Sequence, residues 1–166
     1  MRRRSVQAAD GRELLRLLLW GPPPTGPSAE PVTARSERAA ARKTVLVVED
    51  EADVRLLFMT VLADAGFAVV AAADGREALT MCMREDPDVV VLDLRMPVMD
   101  GAGFVSAYRR LPAAGARIVA VSALSETEAV AGSLGCDAIL RKPVDIDELV
   151  GTVVMLAETP RPPVSR

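Results

Sequence analysis

The chain has 166 residues, half of them apolar, with 20 Lys/Arg against 23 Asp/Glu, two cysteines and no histidine. That length holds one well-buried domain plus tails, and the lack of histidine excludes a Ser-His-Asp triad, a histidine-ligated metal and any role as a phosphohistidine donor. Residues 44–158 carry 9 Lys/Arg against 19 Asp/Glu, whereas residues 1–43 carry 9 against 4; an acidic domain repels a phosphate backbone, so direct nucleic-acid contact is not expected.

Residues 1–43 read as a disordered basic, Pro-rich extension. Residues 10–20 have the spacing of a short amphipathic helix, which Gly21-Pro22-Pro23-Pro24 breaks before a Pro, Ser, Ala and Arg-rich stretch runs to Lys43. Two other readings stand beside disorder: translation from an upstream start codon, and docking of Leu14, Leu15, Leu17, Leu18 and Trp20 on a partner. The run 14–20 is too short for a membrane span and is interrupted by Arg16. No small-residue cleavage site follows it, so a secretory signal is not expected either. Cys82 and Cys136 lack a CxxC spacing, which argues against a zinc or disulfide framework and for a reducing, cytoplasmic location.

From Thr44 short apolar runs alternate with helical periodicity. The runs 45–48, 68–72, 89–92, 118–121 and 138–140 lack strict polar alternation, as strands covered on both faces do. Between the first two, Val54, Leu57, Phe58, Val61 and Leu62 fall on one helical face. Leu79, Cys82 and Met83 mark a second helix, Phe104 and Tyr108 a third, and Val130 and Leu134 a fourth. Ile146, Leu149, Val150, Val153 and Val154 mark a fifth. Asp74-Gly75 and Asp100-Gly101 punctuate two helix starts, and Ser125 with Glu128 and Asp145 with Glu148 have capping-box spacing. Five strands alternating with five helices predict an α/β fold, an open parallel sheet with helices on both faces, because each crossover is right-handed. That domain ends near Glu158, and residues 159–166 form a Pro-rich tail.

Four polar clusters each follow an apolar run: Glu49-Asp50-Glu51, Asp93, Ser122 and Lys142-Pro143. A parallel sheet brings all four to one edge. Carboxylates crowded there repel one another unless a cation sits among them. An all-oxygen set without histidine favours a hard ion such as Mg2+. Lys142 is suited to pair with Asp93 and then with an incoming phosphoryl group, and the Ser122 hydroxyl can donate to the same oxygens. Taken singly, each has an ordinary explanation as a helix cap, a loop hydrogen bond or a surface charge; their coincidence is what points to a site. Met96 and Met99 read as packing residues, and the two cysteines as buried or half-buried thiols without chemistry.

The segments 45–51, 92–101, 121–123 and 142–143 together resemble the receiver domain of bacterial two-component response regulators, over about residues 44–158. The resemblance implies the flavodoxin-like sheet order 2-1-3-4-5. It implies that Asp93 accepts a phosphoryl group from a sensor histidine kinase or exchanges it with a histidine phosphotransfer protein. Asp50 and Asp93 would bind Mg2+ directly, Glu49 mostly through water, and the backbone carbonyl of Arg95 would add a ligand. Ser122 and Lys142 would contact the phosphoryl oxygens, with a cis peptide before Pro143. The chain would be a single-domain response regulator, not an enzyme beyond its own phosphorylation and dephosphorylation. It would signal to an unknown downstream protein through its last two helices and residues 138–141.

Two positions depart from the family pattern: Ile139 stands where many members carry an aromatic switch residue, and Val144 where Phe is usual. Leu124 and Arg95 flank the site, and an apolar Leu124 predicts slow self-dephosphorylation. The alternative reading is a phosphorylation-independent, receiver-like adaptor. A haloacid-dehalogenase-type phosphatase is disfavoured, since it needs a second Asp where Arg95 stands.

Overall fold

A computed structural model describes residues 42–111, 114–123 and 133–159. The described elements are β1 (Thr44–Val48), α1 (Ala52–Asp64), β2 (Ala68–Ala72), α2 (Gly75–Glu85), β3 (Val89–Asp93), α3 (Gly101–Tyr108), β4 (Arg117–Ser122), β5 (Ala138–Arg141) and α4 (Ile146–Glu158). All five strands are parallel, in the expected order β2-β1-β3-β4-β5. Of the helix expected around Val130 and Leu134, only Ser133 and Leu134 lie among the described residues, and both are helical. Leu124, the Ser125/Glu128 pair, and the extension and tail apart from Arg42, Lys43 and Thr159 lie outside them.

The two-residue period of a strand explains how one sheet builds two cores. Leu46, Val48, Val90, Leu92, Ile118 and Ala120 point to one face and pack with Ala78 and Cys82 of α2 and Phe104, Val105 and Tyr108 of α3. Their neighbours Val45, Val47, Val89, Val91, Val119 and Val121 point to the other, against Phe58 and Leu62 of α1 and Leu149, Val153, Leu156 and Ala157 of α4. The apolar runs of β1, β3 and β4 are thus buried on both sides. That expectation does not hold for β2, whose residues 68–71 are only half-buried, or for β5, because these two strands form the sheet edges. Leu57 also departs from its expected inward place and is 47% exposed. The stripe that meets the sheet is narrow: Phe58 and Leu62 are buried, Val54 and Val61 flank them, and Leu56 and Leu57 fall outside it.

Local chemistry sets the helix starts. Asp74 caps α2 by accepting from the Arg76 and Glu77 amides, while the Glu77 carboxylate accepts from the Ala73 amide. Asp100 caps α3 through the Gly103 amide, and Asp145 caps α4 through the Glu148 amide. At Gly101 a Cβ would stand 2.7 Å from Leu94 Cα and 2.8 Å from the Asp93 carbonyl oxygen, so only glycine lets α3 begin against the end of β3. Tyr108 stacks on Phe104 and accepts the buried Ala116 amide on its hydroxyl, fastening the far end of α3 to the entry of β4. Cys82 is buried and Cys136 half-buried, as expected, and both lie outside any disulfide.

Candidate functional site

Adjacent register brings the acidic residues together. Val48 lies opposite Leu92, so Glu49 and Asp50, which follow β1, emerge beside Asp93, the last residue of β3. One carboxylate oxygen from each of Glu49, Asp50 and Asp93 lies within 4.8 Å of the others. Glu49 and Asp93 are buried, at 2% and 4% exposure, while Asp50 is exposed at the mouth.

Lys142 reaches in from the end of β5. Its Nζ donates to Asp93 Oδ2 at 2.7 Å and to Glu49 Oε2 at 3.3 Å. The other Asp93 oxygen, Oδ1, accepts the Arg95 backbone amide at 3.0 Å, and Glu49 Oε1 accepts the Glu51 amide at 3.3 Å. The peptide between Lys142 and Pro143 is cis, as expected.

The electrostatics show a deficit of positive charge. Burial first, and the Asp93 charge second, push the Glu49 carboxyl above the usual glutamate range, against the opposing pull of Lys142. Burial alone would lower the Lys142 ammonium; its hydrogen bond and charge attraction to Asp93, then to Glu49, outweigh that and hold it above its ordinary value. One ammonium facing three carboxylates leaves a negative residue that a divalent cation can neutralise. The donors are all oxygen, with no histidine or cysteine in the group, and Asp50 keeps one side open to solvent. This set fits Mg2+.

Ser122 sits buried at the end of β4, opposite Arg141, on the same sheet edge. Its carbonyl accepts the Lys142 amide at 2.8 Å, while its hydroxyl turns to the Ala123 carbonyl at 3.4 Å. The structure therefore gathers Glu49, Asp50, Asp93 and Lys142 into one cluster and places the Ser122 hydroxyl beside it without a bond to those carboxylates among the described residues. For Arg95 the described contact is its amide on Asp93.

Three features escaped the sequence reading. Arg55, in the first turns of α1, donates from Nη1 to the carbonyls of Glu49 at 2.6 Å and Asp50 at 3.1 Å. A cation five residues past an acidic loop and inside a helix was the available signal. Val98 has φ 68°, and the Met99 amide bonds the Pro97 carbonyl at 2.7 Å, the three-residue γ-turn. Met99 in turn accepts the Gly75 amide and lies where any Cβ on Gly75 would collide, so the loop after Asp93 is keyed to the start of α2. Met96 and Met99 pack on the core beneath this loop, as expected.

Comparison with known proteins agrees with this geometry. Residues 45–154 match the family model described as the response regulator receiver domain. The chain is 40% identical over 113 residues to the transcriptional regulatory protein PrrA of Mycobacterium tuberculosis, covering 68% of this chain and 48% of that protein. It is 36% identical over 137 residues to the alkaline phosphatase synthesis transcriptional regulatory protein SphR of Synechococcus elongatus, covering 76% and 53%. It thus spans about half the length of these curated relatives. Among solved structures, the receiver domain of Francisella response regulator 1452 is similar with a TM-score of 0.66 and 30% identity, over 70% of this chain and 98% of that one. The chemotaxis protein CheY4 of Vibrio cholerae gives 0.64 and 32%, over 69% and 98%. The sheet order, the acidic cluster answered by a lysine, and a family match across residues 45–154 converge: the chain belongs to the response regulator receiver domain family.

Proposed function

We propose that Asp93 is a phosphoacceptor, and that the domain switches its protein contacts when Asp93 is phosphorylated. The observation that carries this reading is the Asp93 carboxylate itself: buried, held by Lys142 at 2.7 Å and the Arg95 amide at 3.0 Å, and grouped with Glu49 and Asp50. In the reaction a carboxylate oxygen of Asp93 forms the new O–P bond as the P–N bond of a phosphohistidine breaks and the imidazole leaves. Lys142 balances charge on the incoming phosphoryl group, and the Arg95 amide fixes the orientation of the carboxylate. Asp50, Asp93, the Arg95 carbonyl and Glu49 would hold Mg2+, which would supply further neutralisation of phosphoryl charge. Ser122, at the end of β4 on the same sheet edge, donates to a phosphoryl oxygen once one is present.

The phosphoryl donor in this reading is a sensor histidine kinase or a histidine phosphotransfer protein. Output passes to a separate protein or domain, and the only chemistry of the receiver is gain and loss of its own phosphoryl group. The reading is cytoplasmic, as two cysteines outside any disulfide suit, and among the described residues no helix is long and apolar enough to cross a membrane. Phosphoramidate, a small P–N donor, tests the chemistry without a cognate kinase. The protein should gain one phosphoryl mass with Mg2+ present, and Asp93→Asn should gain none. A folded wild type that takes up no phosphoryl group would support the phosphorylation-independent adaptor instead.

A further inference from the structure

We propose that Arg55 is a positioning residue for the metal site: it holds the Glu49–Asp50 segment in the conformation that presents both carboxylates, although its own charge opposes a bound cation. This rests on the reading of Glu49, Asp50 and Asp93 as Mg2+ ligands. The two acidic residues are fixed to very different degrees. Glu49 is secured at several points: its amide donates to the Ala72 carbonyl of β2 at 3.2 Å, its carboxylate accepts from Lys142 and the Glu51 amide, and its side chain is buried. Asp50 has none of these supports. It is exposed, no described hydrogen bond reaches its carboxylate, and its described backbone hydrogen bond is the one its carbonyl accepts from Arg55 Nη1 at 3.1 Å.

Arg55 is itself anchored. Its amide donates to the Glu51 carbonyl at 2.9 Å, the first hydrogen bond of α1, so the guanidinium projects from a rigid helix back over the loop that precedes it. The same nitrogen takes the Glu49 carbonyl at 2.6 Å, so two successive carbonyls converge on one cationic donor. Charged donors make the stronger class of hydrogen bond, and two of them on consecutive peptide units remove most of the freedom of the segment. A ligand carboxylate that must be ordered at the moment of binding lowers metal affinity by the entropy of ordering it. Arg55 meets that cost in the folded apo protein.

Placing a cation here has an electrostatic disadvantage, and that makes the inference testable by sign. Were Arg55 only a nearby charge, removing it would relieve repulsion of Mg2+ and tighten binding. Were it a positioning residue, removing it would weaken binding despite the more favourable field. Arg55→Met keeps the apolar stem and a comparable helix propensity and lacks the donor; Arg55→Ala is the second variant. Position 55 is half-buried in the first turn of α1, and thermal unfolding without Mg2+ checks the fold of each variant. Mg2+ is then titrated calorimetrically into the full chain, wild type and variants, with no phosphodonor present.

The expected result is an affinity for Mg2+ lower by roughly ten-fold or more in both variants, as for other residues that orient metal ligands. In phosphoramidate assays the half-saturating Mg2+ concentration should rise correspondingly, with little change in the rate at saturating Mg2+. Unchanged or tighter Mg2+ binding in folded Arg55→Met or Arg55→Ala would overturn the positioning role. Failure of the wild type itself to bind Mg2+ would instead overturn the metal-site reading on which this inference rests.

Discussion

Glu49 shows how a residue proposed to serve metal binding can weaken the fold. Its carboxyl lies above the ordinary glutamate range because it is buried and faces Asp93. With the folded value raised, folding takes up a proton: the stabilising contribution is complete below the unfolded value and is lost as pH rises through the folded one. At pH 7 without Mg2+, Glu49 is therefore held at a cost, and Glu49→Gln, which removes the charge and keeps one oxygen to accept from either Lys142 or the Glu51 amide, should raise the thermal midpoint. The same variant should bind Mg2+ more weakly. A lower midpoint in Mg2+-free buffer would show that the ionised carboxylate contributes more than it costs. Val98 carries a second local cost, a β-branched residue at φ 68° with 72% of its surface exposed. Left-handed strain of this kind costs about 1–3 kcal/mol, and Asn tolerates that region. Val98→Asn should stabilise the protein by about 1 kcal/mol in urea unfolding, and no gain would mean that Val98 packs against something its exposure does not reveal.

Glycines show how elements are set against one another. Gly101 starts α3 in contact with the backbone of Asp93 and Leu94, whereas Gly151, inside α4, has nothing within 4 Å of its Cβ position. The same substitution should therefore act in opposite directions. Gly101→Ala forces backbone apart and should cost about 1–3 kcal/mol, with slower phosphoryl uptake because the displaced backbone carries Asp93. Gly151→Ala should stabilise by about 0.5–1 kcal/mol through helix propensity alone. Equal effects at the two positions would contradict the close approach of α3 to β3. This contrast was invisible in the sequence, where Asp100-Gly101 marks a helix start without showing the close approach to β3 and Gly151 falls within helical periodicity. The caps were more legible, because Asp74, Asp100 and Asp145 stand directly before helical periodicity and each accepts first-turn amides.

At the scale of the whole molecule, the apolar runs located all five strands, since a strand buried on both faces tolerates few polar residues. The order of those strands is not contained in their patterning; the resemblance carried it, and the observed sheet agrees. Clustering of Glu49, Asp50, Asp93 and Lys142 followed from their places at strand ends, which a parallel sheet aligns on one edge. What stayed hidden depends on side-chain direction: the outward turn of Leu57, the Ser122 hydroxyl facing Ala123, and the return of Arg55 over the loop before its helix. Periodicity places a Cβ on a face, but rotamers decide what the end of a long side chain meets. The central claim is that this edge of the sheet is a phosphoryl site built on Asp93. The most direct measurement is to incubate the protein with acetyl phosphate, with Mg2+ or with excess chelator, reduce the product with borohydride and map the peptides by mass. The account predicts conversion at Asp93 with Mg2+ and almost none with chelator. Conversion at another carboxylate, or equal conversion without the metal, would contradict it.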